Sequence, residues 1–419
     1  MTKNKFIYFL FFIVSTSVCL GVYIGEDSLG SGKHDYIYHL RFLNGFSENF
    51  FNTYNEFGML TESYPMRNSP IFYMFFSIFL KFGLPLESLK VINLLILIPI
   101  VIYFIKCLEI KYPTINLDTK IYFISALMLS PTIRTLLAWP YPLLWALCFF
   151  LISVYFFLIF NKSENYKKKM ICAYSNIFFL SLSAYFTPKF AVFSLFFFYN
   201  FFLFYKFKKE TLKIVLLNIV LAIPAIYFII TKDYYLFNSE PFNVASSTKY
   251  NLSNKIIIIS SMFFLFFLPF ITKENLFNKK NFKINYKSFI LIIFITINIY
   301  FFDFLIRSGS GGGIFFQLSN ILFENSLFLF IIFIFSLGLF GYLGLYNLNN
   351  ILLFVLLLIY NLEFTIYYKY FDPLILFLLL FLTNYSTNNF IKIKKLSKKV
   401  FLFYIFFLTL NLSKSFIIH

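Results

Sequence analysis

Arginine is nearly absent from this chain: of its 36 basic residues only Arg41, Arg67, Arg134 and Arg307 carry a guanidinium. Charge of either sign is sparse, at 13% of 419 residues, which is too little polar material to cover a soluble surface. Histidine occurs three times, tryptophan twice and cysteine four times, as Cys19, Cys107, Cys148 and Cys172. No cysteine stands in a CxxC or Cys/His spacing, so neither a zinc site nor a disulfide framework is indicated. All four lie in or beside apolar runs and read as lipid-facing or core residues. Linkers and low-complexity segments are missing too. What fills the chain is hydrocarbon: 60% of its residues are hydrophobic, 67 are Phe, and the mean hydropathy is +0.79. That is the composition of a polytopic membrane protein.

Apolar runs recur near 6–24, 89–107, 119–133, 142–160, 170–186, 190–205, 212–231, 256–272, 288–305, 326–346, 350–367, 373–385 and 400–418. Together they predict an all-α transmembrane bundle of about 13 spans, forming a single domain over 1–419. The run 6–24 follows a short basic start without an A-x-A cleavage pattern and reads as a retained first span. A shorter apolar piece at 70–83 suits a re-entrant or interfacial helix. Lysine places the loops. With the N-terminus inside, segments 1–5, 106–120, 161–170, 206–213, 273–287, 346–350 and 386–399 hold 23 lysines, no arginine and five acids, so the entire net charge of +18 falls on the cytoplasmic face. Runs such as Lys167-Lys168-Lys169 are topology determinants and anionic-lipid contacts, which removes any reason to invoke nucleic acid.

All four arginines fall on the other face, where positive charge is normally avoided. In a chain this biased to lysine, a retained arginine suggests a need for its rigid fork on phosphate or carboxylate, although pairing with an acid at a helix end is the plainer alternative. The first outer loop, about 25–88, is the longest polar stretch and contains Glu26, Asp27, His34, Asp35, His39, Arg41 and Arg67. In a helix starting near Gly32, Asp35, Tyr38, His39 and Phe42 share one face, while Tyr36, Leu40 and Leu43 form an adjacent stripe expected to rest on lipid. Asp35 then reads as a site acid or as a first-turn acid favoured by the helix dipole.

These pieces in order resemble the GT-C superfamily of integral-membrane glycosyltransferases. The string Asp35, Tyr38, His39, Arg41 (D-x-x-Y-H-x-R) is similar to the first-loop motif of oligosaccharyltransferase catalytic subunits. Ser69-Pro70-Ile71-Phe72-Tyr73 looks more like protein mannosyltransferases and lipid A aminoarabinose transferases. Ser130-Pro131, Trp139-Pro140, Ala184 to Lys189 and Tyr370-Phe371-Asp372-Pro373 fit the same picture, and the ordered resemblance covers roughly residues 1–200. It implies a polyprenyl-phosphate-linked sugar donor on the non-cytoplasmic face, with membrane lipids as surroundings. Asp35 would be the base, assisted by His39, and Arg41, Arg67, Arg134, Arg307 and Lys369 would bind the phosphate. Glu26, Asp27, Lys189 and Asp372 are further candidates. The soluble W-W-D-Y-G-bearing domain of oligosaccharyltransferases is missing, which speaks against peptide glycosylation.

No cofactor is required by this reading. The oligosaccharyltransferases supply an acidic metal ligand from their second outer loop, whereas 131–142 here holds Arg134 and no carboxylate. A divalent metal is therefore the weaker expectation, and Asp35, with Glu26 and Asp27, would supply its oxygens. The glycine run after Arg307 reads as a flexible loop or a phosphate contact, and Lys369 with Asp372 as a salt-bridged turn or a substrate contact. Tyr234, Tyr235 and Tyr250 read as interfacial anchors before sugar platforms. A polysaccharide polymerase, a lipid-linked-sugar flippase and a purely structural membrane protein are the rival classes. The Lys/Asn/Ile-rich composition points to a bacterial inner membrane.

Overall fold

The computed structural model describes residues 3–30, 32–57, 69–231, 251–271, 286–304, 311–342, 347–361, 365–384 and 393–417. Arg67, Arg307 and the tyrosines of 232–250 lie outside the described residues. Among the described residues every regular element is a helix, and the one β contact is an isolated bridge between Gly311 and Ile366. The chain divides into two compact units, Met1–Ser239 with Val400–His419, and Glu240–Lys399.

The first unit contains α1 (Lys3–Ile24), α2 (Gly32–Glu48), α3 (Phe50–Glu56), α4 (Ile71–Lys81), α5 (Leu86–Leu95), α6 (Leu97–Lys111), α7 (Leu117–Met128), α8 (Pro131–Ala138), α9 (Pro142–Lys162), α10 (Tyr166–Phe186), α11 (Ser194–Tyr205) and α12 (Lys209–Thr231). Asparagine starts several of them. The side chains of Asn49, Asn116 and Asn165 each accept the backbone N–H three residues on, satisfying a donor that the first turn leaves without a partner. An apolar antiparallel hairpin of α9 and α10 forms the centre. The Asn176 amide donates to the Ser153 carbonyl (2.9 Å) and hydroxyl (2.8 Å), and two turns away the Ser183 hydroxyl donates to the Ala146 carbonyl (2.7 Å). With so little polar surface to pair across helices, these few bonds fix the register of the hairpin.

The second unit contains α13 (Leu252–Phe267), α14 (Tyr286–Tyr300), α15 (Gly313–Phe323), α16 (Leu327–Tyr342), α17 (Leu348–Tyr360) and the short α18 (Leu374–Phe377), which continues as a π turn over Leu378–Leu382. Its most enclosed helix is α13, against which the Ser336 hydroxyl of α16 donates to the Ser260 carbonyl at 2.8 Å. The last helix, α19 (Ile393–Ile417), begins in this unit's range and ends in the first's.

Among the described residues, seven helices are long and apolar enough to cross a membrane, and eight if the bent pair α7 and α8 counts as one span. The 13 apolar runs all carry helix, but in several the helix is shorter than a full crossing: Leu291–Tyr300, Leu327–Phe340 and Leu348–Tyr360 belong to a class of 10–17 residues. The run 170–186 lies in α10, which opens on Lys167-Lys168-Lys169. The bend between α7 and α8 is 60°. It sits at Ser130-Pro131, where the proline keeps Ser130 out of the helical region (ψ 122°) and itself takes the first position of the next helix.

Candidate functional site

α8 is the element around which the first unit's polar residues gather. All eight of its residues are buried, although it contains an arginine and two threonines. An enclosed helix needs partners for its side chains and for both of its ends. At its start the Ser130 hydroxyl accepts from Ile133 N (3.2 Å). At its end the i+4 partner of the Leu136 carbonyl would be Pro140, which has no N–H. The fully buried Asn93 on α5 fills the gap: its amide donates to the Leu136 (2.6 Å) and Leu137 (3.0 Å) carbonyls, and its own carbonyl accepts from Trp145 Nε1 (3.1 Å).

Arg134 projects from α8 into an ion pair with Glu26, with side-chain exposures of 7% and 9%. Its Nε donates to Glu26 Oε1 (2.7 Å) and its Nη2 to Glu26 Oε2, while Nη1 donates to the Ser17 hydroxyl (3.0 Å) and Nη2 to the Ser17 carbonyl (3.0 Å). Four of the five guanidinium N–H groups are thereby engaged. Glu26 opens the connector between α1 and α2, and its next residues continue the attachment. The Asp27 carboxylate accepts from Gly32 N (3.0 Å) and Lys33 N (3.1 Å), capping α2. Ser28 donates to the Pro131 carbonyl (3.0 Å) and meets the Thr135 hydroxyl (3.1 Å), which accepts from Leu29 N (3.2 Å). Gly32 lies so close that a Cβ there would collide with the Thr135 methyl, and the Trp139 ring backs the same turn.

The helix thus anchored carries the D-x-x-Y-H-x-R string, and its buried face is Gly32, Tyr36, His39, Leu43 and Phe46. The Tyr36–Leu43 stripe expected on lipid instead packs inward, because the connector's bonds to α8 rotate that side toward the protein. Tyr36 lies 5.7 Å from the Trp139 ring, and burial, followed by the neighbouring Glu87 carboxylate, pushes its phenol up to about 12. His39 is 3% exposed; its Nδ1 is 2.5 Å from the Tyr73 hydroxyl of α4, and the Tyr141 ring meets it edge-on at 4.7 Å. Asp35, one turn earlier, is half-buried in the first turn of α2, and Arg41 is exposed. Lys189 is half-buried in the 3-10 turn Pro188–Phe193.

The structure therefore joins Glu26, Asp27 and Arg134 in one framework and seats His39 between α4 and Tyr141. Ser17, Asn93 and Tyr141 were not singled out by sequence, and Tyr73 entered only as the end of the Ser69–Tyr73 string, with no role assigned. Asn93 could have been, as a lone amide inside an apolar helix. In the second unit, Lys369 (7% exposed) and Asp372 (1%) are both buried, with the Lys369 ammonium 5.3 and 5.6 Å from the Tyr367 and Tyr370 ring centres. Lys255, buried at 2% in the first turn of α13, is a second enclosed lysine that the sequence did not flag. In the glycine run, Gly312 N donates to the Ile366 carbonyl (3.0 Å) and Ile314 N to the Tyr368 hydroxyl (2.7 Å). One N–H of the run considered for phosphate contact, that of Gly312, therefore has a protein partner, as does the N–H of Ile314 just after it. Among the described residues no three of His, Cys, Asp or Glu come together as a metal site would require. No family model, curated protein or solved structure matches this chain.

Proposed function

We propose that this chain is an integral-membrane glycosyltransferase of the GT-C kind, which moves a sugar from a polyprenyl-phosphate donor to an acceptor hydroxyl on the non-cytoplasmic face of a bacterial inner membrane. In this reading the short apolar helices complete the 13-span bundle. The supporting observation is the anchoring of α2: a helix with a carboxylate and an imidazole one turn apart is fixed at its start by Asp27 and along its length by the His39–Tyr73 contact. Such a rigid support is what a reacting carboxylate needs.

In the proposed step the acceptor oxygen forms a bond to the anomeric carbon as the bond from that carbon to the phosphate oxygen breaks. Asp35 takes the acceptor's proton, and the polyprenyl phosphate leaves with the bonding electrons. Inversion follows from a single displacement. His39 positions the helix through Tyr73, while Arg41 and Arg67 neutralise the leaving phosphate within the first unit.

The test is transfer of labelled sugar from a polyprenyl-phosphate donor in membranes containing the chain or its Asp35→Asn variant, with and without EDTA. Loss of a general base should lower the rate by about 10²- to 10⁴-fold, and wild-type transfer should persist in EDTA. Full activity of Asp35→Asn would remove Asp35 from the mechanism. Absence of wild-type transfer to lipid, glycan or protein acceptors would end the glycosyltransferase reading.

A further inference from the structure

We infer that Arg134 is a positioning residue: with Glu26 and Ser17 it forms a latch that holds the α1–α2 connector on α8 and so sets where Asp35 stands. The inference rests on the glycosyltransferase reading for its link to catalysis, although the latch itself has a test that needs no activity.

A phosphate-binding arginine must offer its fork to the ligand. Arg134 offers it to the protein, with both Glu26 oxygens and two Ser17 oxygens holding four of its five N–H groups. To reach a phosphate the guanidinium would have to leave an almost fully buried carboxylate unpaired. The bond pattern also has a direction. Glu26, Asp27, Ser28 and Leu29 are consecutive, and each uses a polar group to fix either α8 or the first turn of α2. Asp35 follows three residues after the capped Gly32. A shift of the connector therefore passes directly into the position of the carboxylate, and a displacement of about 1 Å at a reacting group costs on the order of 10²-fold in rate.

Ser28 and Thr135 provide the means of testing this, because their hydroxyl oxygens are 3.1 Å apart and cysteines at both positions bring two sulfurs within bonding reach. In a Cys19→Ser background, which removes the one exposed native thiol, Ser28→Cys/Thr135→Cys should form a disulfide on mild oxidation, scored as the loss of two maleimide-reactive thiols after denaturation. Glu26→Gln should slow that closure at least about tenfold and, in the reduced protein, lower kcat by about 10- to 100-fold with the donor KM within about twofold. Oxidation should then restore kcat to near that of the oxidised parent, since the covalent bond replaces the latch. Arg134→Gln should behave in the same way. Where Glu26→Gln fails to accumulate, Glu26→Asp, which keeps the charge and shortens the reach, takes its place.

A donor KM that rises in Arg134→Gln and is not corrected by the disulfide would make Arg134 a phosphate ligand and overturn the inference. So would failure of the disulfide to form in the latched parent, or equal closure rates with and without Glu26. If wild type transfers no sugar, the proposed function fails by itself and the closure rates alone decide the latch.

Discussion

Replacing Asn93 by Leu should be among the most damaging single changes in the first unit, although it exchanges a polar residue for an apolar one inside an apolar helix. The side chain serves three groups: the carbonyls of Leu136 and Leu137 and the indole N–H of Trp145. Leucine keeps the branched shape, is bulkier, and leaves the two buried carbonyls and the half-buried indole N–H without this partner. A buried polar group deprived of its partner costs about 1–3 kcal/mol. The two carbonyls therefore account for about 2–6 kcal/mol and the half-buried indole N–H for less, partly offset by the easier burial of leucine. At about 2–4 °C per kcal/mol for a domain of about 200 residues, this corresponds to a fall in Tm of roughly 4–24 °C. Thermal unfolding of the detergent-solubilised protein measures it. A double-mutant cycle with Trp145→Phe isolates the indole bond, whose coupling should be about 1 kcal/mol. If Asn93→Leu unfolds within about 0.5 kcal/mol of wild type, then the end of α8 finds other partners and the capping argument for Asn93 is wrong.

Two further outcomes follow from local geometry. Gly30 and Gly311 both have positive φ, at 75° and 82°, but a Cβ at Gly30 meets no atom within 4 Å whereas one at Gly311 collides with the Ile366 carbonyl oxygen. Gly30→Ala should cost about 1 kcal/mol of left-handed strain, and Gly311→Ala about 3 kcal/mol with the overpacking added, as read by Tm; equal losses would refute the contact. Tyr36 keeps its proton in the folded state to about pH 12, against 10 for the free phenol. Its contribution is thus fully present below pH 10 and is lost as the pH rises from 10 to 12, by on the order of 2–3 kcal/mol. Tyr36→Phe should flatten that part of the stability–pH curve, and an unchanged slope would show that the phenol is not desolvated.

The helical, membrane-type character of the chain was legible because it depends on composition and run length alone. The start of α2 near Gly32 was legible as well, since i, i+3, i+4 spacing and a first-turn acid are local features. Which side of α2 turns inward was not. That is decided by Thr135, about a hundred residues away, where Gly32 closes on its methyl and Ser28 on its hydroxyl. Arg134 presents the same limit: its chemistry suits phosphate and carboxylate equally, and only the fold brings Glu26 to it. The number of spans was less legible, because burial by protein and burial by lipid select the same side chains: α13, long and apolar enough to cross a membrane, is also the most enclosed helix of its unit.

The enclosure of α8 also bears on how the protein is made. This helix carries a cation, two threonines and uncapped carbonyls at a proline, so it has poor standing in lipid by itself. Ser17, Glu26, Ser28 and Asn93, which answer those groups, all precede it in the chain. By the time α8 leaves the ribosome its receptors have already been synthesised, and it can dock as it arrives. A circular permutation that moved α1 and its connector to the end of the chain would reverse that order, leaving α8 to wait for its partners within the membrane.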